Sequence, residues 1–119
     1  MGNILVTDDD KACRESMQKV LEQQGYVVRA TDDVDSALHE LAAQHFDLVV
    51  CDYRMPGKTG IDLLIEMKHC RFAVPVLIVS ASADVQTQAA TLKLGAVGFL
   101  KKPVRRQDLI ERAAKAIHG

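Results

Sequence analysis

The chain has 119 residues, 48% of them hydrophobic and 26% charged. That is the size and make-up of one globular domain, and it excludes a disordered tail or a multidomain assembly. Fifteen Lys and Arg against sixteen Asp and Glu leave a net charge of −1, which excludes the cationic surplus of a general polyanion binder.

No apolar run approaches the ~20 residues of a membrane span, and the opening residues lack the charged n-region of a signal peptide. Cys13, Cys51 and Cys70 form no CxxC pair, which fits a reducing compartment better than a disulfide framework. The expected setting is cytoplasmic, with no membrane and no direct nucleic-acid partner.

The predicted elements alternate. Ile4-Leu5-Val6 reads as a first strand. Cys13, Met17, Val20 and Leu21 form one face of a helix over residues 10–24, and Gly25 stands at its C′ position. Tyr26-Val27-Val28 reads as the second strand, and Val34, Ala37, Leu38, Leu41 and Ala42 as the second helix. Leu48-Val49-Val50-Cys51 is continuously apolar, as a strand covered on both faces should be. A turn-rich segment, residues 52–59, leads to a third helix carrying Ile61, Leu64 and Ile65. Pro75 opens the fourth strand, Val76 to Val79. Residues 84–94 form a weak fourth helix stopped by Gly95, with a thin apolar stripe of Val85, Ala89 and Leu92. Val97 to Leu100 is the last strand, and Leu109, Ile110, Ala113, Ala114 and Ile117 line the last helix. Five βα pairs imply parallel strands with helical crossovers on both faces of one sheet. Ligands of such folds sit beyond the carboxyl ends of the strands.

The polar residues expected at those ends are distinctive. Asp8, Asp9 and Asp10 follow the first strand, Asp52 the third, Ser80 and then Ser82 the fourth, and Lys101 and Lys102 the fifth. Asp is a good helix N-cap, and Asp10 has that role available. One cap needs one Asp, however, and crowded carboxylates repel each other unless a cation joins them. Carboxylate oxygens, water and a backbone carbonyl suit Mg²⁺. An ionised Asp52 can itself attack a phosphoryl group to give an aspartyl phosphate. Lys102 and Ser80 would then hold the other phosphoryl oxygens.

The segments ILVTDDD, DYRMPGKTG (52–60), PVLIVSA (75–81) and GAVGFLKKP (95–103) occur in order. Together they resemble the receiver domain of bacterial two-component response regulators over essentially the whole of residues 1–119. The resemblance implies a flavodoxin-like (βα)5 three-layer sandwich with strand order 2-1-3-4-5, one of the two common doubly wound orders. It implies that Asp52 is the phosphoacceptor, that Asp9, Asp52 and the Arg54 backbone carbonyl bind Mg²⁺, and that Asp8 acts on the metal through water. It implies Ser80 as the switch hydroxyl, Lys102 as the phosphoryl-contacting lysine before a cis Pro103, and Phe99 as the aromatic switch residue. It implies a histidine kinase or a phosphotransfer protein as the phosphoryl donor. It implies an output through the fourth helix, fifth strand and fifth helix to a downstream effector that the residues do not identify. The helix four–helix five face is also where such domains form homodimers.

Some residues depart from the family pattern. Phe99 lacks the hydroxyl of the frequent Tyr, Ser80 replaces Thr, Val104 follows Pro103 where Phe is frequent, and Thr7 stands where an apolar strand residue is usual. Arg54 and Ser82 occupy positions that tune phosphoryl lifetime in the family. Lys101 points away from Lys102 by strand alternation and reads as a solvated rim charge. Gly57-Lys58-Thr59 mimics the end of a P-loop, but Asp52 stands where that loop needs its first Gly. The acidic run after the first strand argues against a flavin phosphate there. His39, His45, His69 and His118 share no ligand spacing, and Cys51 reads as a buried strand residue. Two rivals stand against a switch: a phosphorylation-independent interaction module, and a Mg²⁺-dependent phosphohydrolase. The latter wants D-x-D at its nucleophile, whereas Asp52 is followed by Tyr53-Arg54.

Overall fold

The computed structural model describes residues 2–82 and 84–119. The chain alternates β1 (Asn3–Thr7), α1 (Lys11–Gln23), β2 (Val27–Thr31), α2 (Val34–Ala43), β3 (Leu48–Asp52), α3 (Gly60–His69), β4 (Val76–Ser80), α4 (Val85–Lys93), β5 (Gly98–Lys101) and α5 (Arg106–His118). The sheet runs β2-β1-β3-β4-β5, every neighbouring pair parallel. This is the flavodoxin-like order expected from the sequence.

Alternation along the strands sends side chains to two separate cores. Leu5, Val49, Cys51 and Ile78 face Ala37, Leu41, Leu63 and Met67 of α2 and α3. Ile4, Val6, Val50, Leu77 and Val79 face Met17, Leu21, Leu109 and Ala113 of α1 and α5. β3 and β4 are buried along their whole length, which is why both read as unbroken apolar runs. Fully burying each such side chain stabilises the fold by about 1.5–3 kcal/mol.

Local chemistry sets the helix ends. Asp10 caps α1 by accepting from the Ala12 and Cys13 amides, and Gly25 closes it at φ 95°. Thr59 and Asp62 form a reciprocal capping box at the start of α3. Lys58 is tied to Asp35 at 2.9 Å and to Glu66 at 3.2 Å. The apparent P-loop ending is thus a helix cap and a surface ion-pair bridge.

The structure corrects several boundaries and one face. Asp52, Ser80 and Lys101 are the last residues of their strands rather than the first beyond them. Tyr26 precedes β2, and Val97, 53% exposed, precedes β5. Ile65 faces solvent, and Leu63 and Met67 take the inner positions of α3. The predicted stripe of α4 points outward: Val85 is 79% exposed and Leu92 48%, and Ala89 is exposed too. The inner position belongs to Thr91, fully buried, whose hydroxyl donates to the Gln88 carbonyl at 2.9 Å. Among the described residues no apolar side chain of α4 is buried. Apolar periodicity failed there because the helix buries a self-satisfied hydroxyl instead of a hydrocarbon.

Candidate functional site

The parallel register brings the ends of β1, β3, β4 and β5 to one edge of the sheet. Asp8 follows β1 directly and is fully buried. Its Oδ1 accepts the Asp10 amide at 2.9 Å, and its Oδ2 accepts Lys102 Nζ at 2.8 Å. Lys102 also lies 3.3 Å from Asp52 Oδ1, so one ammonium bridges two carboxylates. Asp9 is exposed at the mouth. One carboxylate oxygen from each of Asp8, Asp9 and Asp52 lies within 4.8 Å of the others.

The electrostatics follow from that crowding. Asp52 is 6% exposed. Burial first, and the Asp8 charge second, push its carboxyl up to about 6, with Lys102 opposing and Asp9 reinforcing. Burial alone would lower the Lys102 ammonium. The hydrogen bond to Asp8 and the charges of Asp52 and Asp8 outweigh it, so Lys102 titrates above the ordinary lysine range. Three carboxylates against one ammonium leave a net negative, all-oxygen pocket. That donor set suits a hard divalent cation such as Mg²⁺ and not a soft metal.

Ser80 is 1% exposed, and its hydroxyl oxygen accepts the Ser82 amide at 3.2 Å. The Ser80 carbonyl accepts the Lys102 amide at 2.7 Å, which joins the hydroxyl's strand to the lysine's loop. The Lys102–Pro103 peptide is cis. Phe99 pairs in register with Ile78 and packs, half-buried, against the core on the α2–α3 side. Arg54 is exposed, and its backbone bridges to Thr59 across the turn after β3. Lys101 is exposed, as a rim charge should be, and so is Ser82. All four histidines are exposed. Cys51 is fully buried, and burial and then Asp52 push its thiol up.

Three neighbours of the site went unread in the sequence. Thr7, the polar residue at an otherwise apolar position, pairs its hydroxyl with Thr31 at 2.9 Å across β1 and β2. Matching threonines at the ends of two adjacent parallel strands were the available signal. Cys13 stands beside Asp8 and Lys102. Its thiol is pushed up to about 11, by burial first and Asp8 second, so it stays protonated and unreactive near neutral pH. Arg14 donates from its guanidinium to the Asp8 carbonyl at 2.9 Å. It lies one helical turn after Asp10, a spacing that was legible but unassigned.

Residues 4–114 match the family model described as the response regulator receiver domain. The chain is 40% identical over 116 residues to the transcriptional regulatory protein FixJ of Bradyrhizobium diazoefficiens, covering 98% of this chain and 57% of that protein. It is 39% identical over 115 residues to the transcriptional regulatory protein ZraR of Escherichia coli K12, covering 97% of this chain and 26% of that protein. The chain thus spans between about a quarter and just over half the length of these relatives. Among solved structures, the receiver domain of the Francisella response regulator 1452 superposes with a TM-score of 0.93. It is 29% identical, covering 99% of this chain and 98% of that one. The receiver domain of NtrX from Brucella abortus gives 0.90 at 31% identity, covering 97% and 98%.

Proposed function

The chain belongs to the response regulator receiver domain family of two-component signalling, whose general function is a phosphorylation-based switch, and from that premise we propose that Asp52 is its phosphoacceptor. Residues 1–119 form one receiver unit on this reading. A histidine kinase or phosphotransfer protein presents a phosphohistidine. An Asp52 carboxylate oxygen attacks phosphorus, the P–N bond breaks, and the imidazole nitrogen leaves with the electron pair. No general base takes part, because an ionised carboxylate already carries the attacking lone pair.

One observation carries the reading. The Asp8, Asp9 and Asp52 carboxylates converge within 4.8 Å with Lys102 bridging two of them, at the carboxyl edge of a parallel sheet. Asp9, Asp52 and the Arg54 carbonyl would hold Mg²⁺ directly, with Asp8 acting through water. Bound there, the ion would neutralise carboxylate charge and polarise the incoming phosphoryl oxygens. Lys102 offers a charge-assisted hydrogen bond to the transferred group, and Ser80 a neutral one. The Ser80 oxygen accepts the Ser82 amide, a bond that turning the side chain toward the phosphoryl group would give up.

Replacing the carboxylate by an acyl phosphate raises the local charge to about −2. Ser80 turns toward it, Phe99 repacks, and α4, β5 and α5 shift as one surface. The loose seating of α4 on Thr91 supports this. The exposed Val85, Leu92 and Val97 side chains give the same surface apolar area for an effector or a second copy. We place the exchange in the cytoplasm. The three unpaired cysteines suit a reducing compartment.

Intact mass after incubation with acetyl phosphate tests the core of this reading. A gain of one phosphoryl group in the wild type, dependent on Mg²⁺ and absent in Asp52→Asn, is expected. A wild type that neither gains mass nor binds beryllofluoride would refute it. Unchanged partner binding in Asp52→Asn would favour a phosphorylation-independent module instead.

A further inference from the structure

The exposed ligand of the acidic pocket lacks a fixing contact of its own. Asp8 is held at every polar group: its amide by the Thr31 carbonyl at 3.1 Å, its carboxylate by Asp10 and Lys102, its carbonyl by Arg14. The Asp9 carboxylate, by contrast, makes no hydrogen bond or ion pair among the described residues. Its position depends on the peptide planes on either side of it. Arg14 fixes the first, its guanidinium donating to the carbonyl of the Asp8–Asp9 peptide at 2.9 Å, and the second is held by the Asp10 amide, which donates to Asp8 Oδ1 at 2.9 Å. The first turn of α1 thus reaches back to the strand end and holds the peptide that leads into Asp9.

We infer that Arg14 is a positioning residue for the divalent-cation site, setting the direction of the Asp9 carboxylate through the backbone. The inference rests on the proposed Mg²⁺ site and adds a residue that touches neither metal nor phosphoryl group. A guanidinium serves here because it reaches the carbonyl from a helix position one turn away. A lysine keeps the charge but not the planar donor fork. Groups that orient ligands from outside the coordination sphere change metal affinity by about 10–100-fold when lost. The lower end of that range fits a single bond to a backbone carbonyl.

The sign of the effect separates positioning from plain electrostatics. Arg14→Met removes a positive charge near a cation site, and by Coulomb's law alone would tighten Mg²⁺ binding. Positioning predicts the opposite: Mg²⁺ affinity about ten-fold weaker by calorimetric titration, with Arg14→Lys intermediate. In metal-free protein the Asp10 amide, bonded to Asp8 Oδ1, should exchange faster in Arg14→Met, while Val49 and Val50 amides in β3 keep their wild-type rates. With acetyl phosphate, the Mg²⁺ concentration for half-maximal phosphorylation should rise and the saturating rate stay within about two-fold. Mg²⁺ affinity that is unchanged or tighter in Arg14→Met, in a variant with wild-type β3 exchange, overturns the inference. Should Arg14→Met lose β3 protection, Arg14→Lys decides alone by the same titration. A wild type that binds no Mg²⁺ would instead refute the proposed site itself.

Discussion

Removing the Asp52 charge should stabilise the metal-free domain. A carboxyl whose pKa is higher in the folded than in the unfolded chain holds its proton more tightly when folded. Ionising it therefore costs stability, a cost that grows as pH rises from about 4 to about 6 and is complete above. For Asp52 the rise runs from 3.8 to about 6, driven by burial and by Asp8. At pH 7.5 that corresponds to about 3 kcal/mol. That cost is already net of the Lys102 attraction across 3.3 Å, and Asn recovers only part of it because its amide must find hydrogen-bond partners in a buried site. A net gain of about 1–2 kcal/mol is expected for Asp52→Asn, or about 4–8 °C in Tm for a domain of this size. Circular-dichroism melts in EDTA at pH 7.5 measure it directly. At pH 5, where the folded wild type already holds most of the proton, the gain should shrink to about half. Millimolar Mg²⁺ should raise the wild-type Tm and leave Asp52→Asn nearly unmoved, since binding to the folded state alone adds stability. A variant that melts at or below the wild type in EDTA at pH 7.5, or a gain independent of pH, would refute the reasoning.

Lys102→Met should cost about 3–5 kcal/mol in urea denaturation of the metal-free protein, because fully buried Asp8 loses its partner. It should also abolish stable phosphorylation by mass. Leu63→Ala, at a fully buried position, should cost about 2–5 kcal/mol while leaving Mg²⁺ affinity intact, which separates the core from the pocket. Amide exchange over residues 84–101 should change on beryllofluoride binding, and unchanged exchange there would sink the switch surface without touching the phosphoacceptor. Thr91→Val should leave stability within about 1 kcal/mol, because the hydroxyl bonds only to its own helix. It should also damp the exchange response of α4, since a hydrocarbon seats that helix more firmly.

The sheet was legible because its information is local. Val76 to Val79 and Leu48 to Cys51 are short, unbroken apolar runs rich in β-branched residues, and a buried parallel strand admits little else. The pocket was legible for a different reason: alternating βα order forces every strand to end on the same edge, so Asp8, Asp52, Ser80 and Lys102 were gathered by topology alone. What stayed hidden depended on contacts between residues with no pattern of their own. The Thr7–Thr31 pair needs the β1–β2 register. The reach of Arg14 needs the angle at which α1 leaves the strand. The outward face of α4 could not be read because Thr91 is a polar residue doing a core residue's job.

The same contacts explain why such a site can work as a switch and not as a sink. Lys102 is already bonded to Asp8, and the Ser80 hydroxyl to the Ser82 amide. A phosphoryl group on Asp52 would therefore compete with Asp8 for Lys102, and a turn of the Ser80 side chain toward it would give up the bond accepted from the Ser82 amide. Each new hydrogen bond to the charged group is worth about 1.5–3 kcal/mol, and each one given up costs about 0.5–3 kcal/mol depending on its charge. The balance is a difference of similar terms, a few kcal/mol at most, which is the range in which two conformations remain populated and a modification can choose between them. Ser82, whose amide such a turn would release, lies a few residues before α4, a helix with no buried apolar side chain among the described residues. On the proposed reading, the bond exchanged at the pocket thus adjoins the helix that burial anchors with a hydroxyl instead of a hydrocarbon.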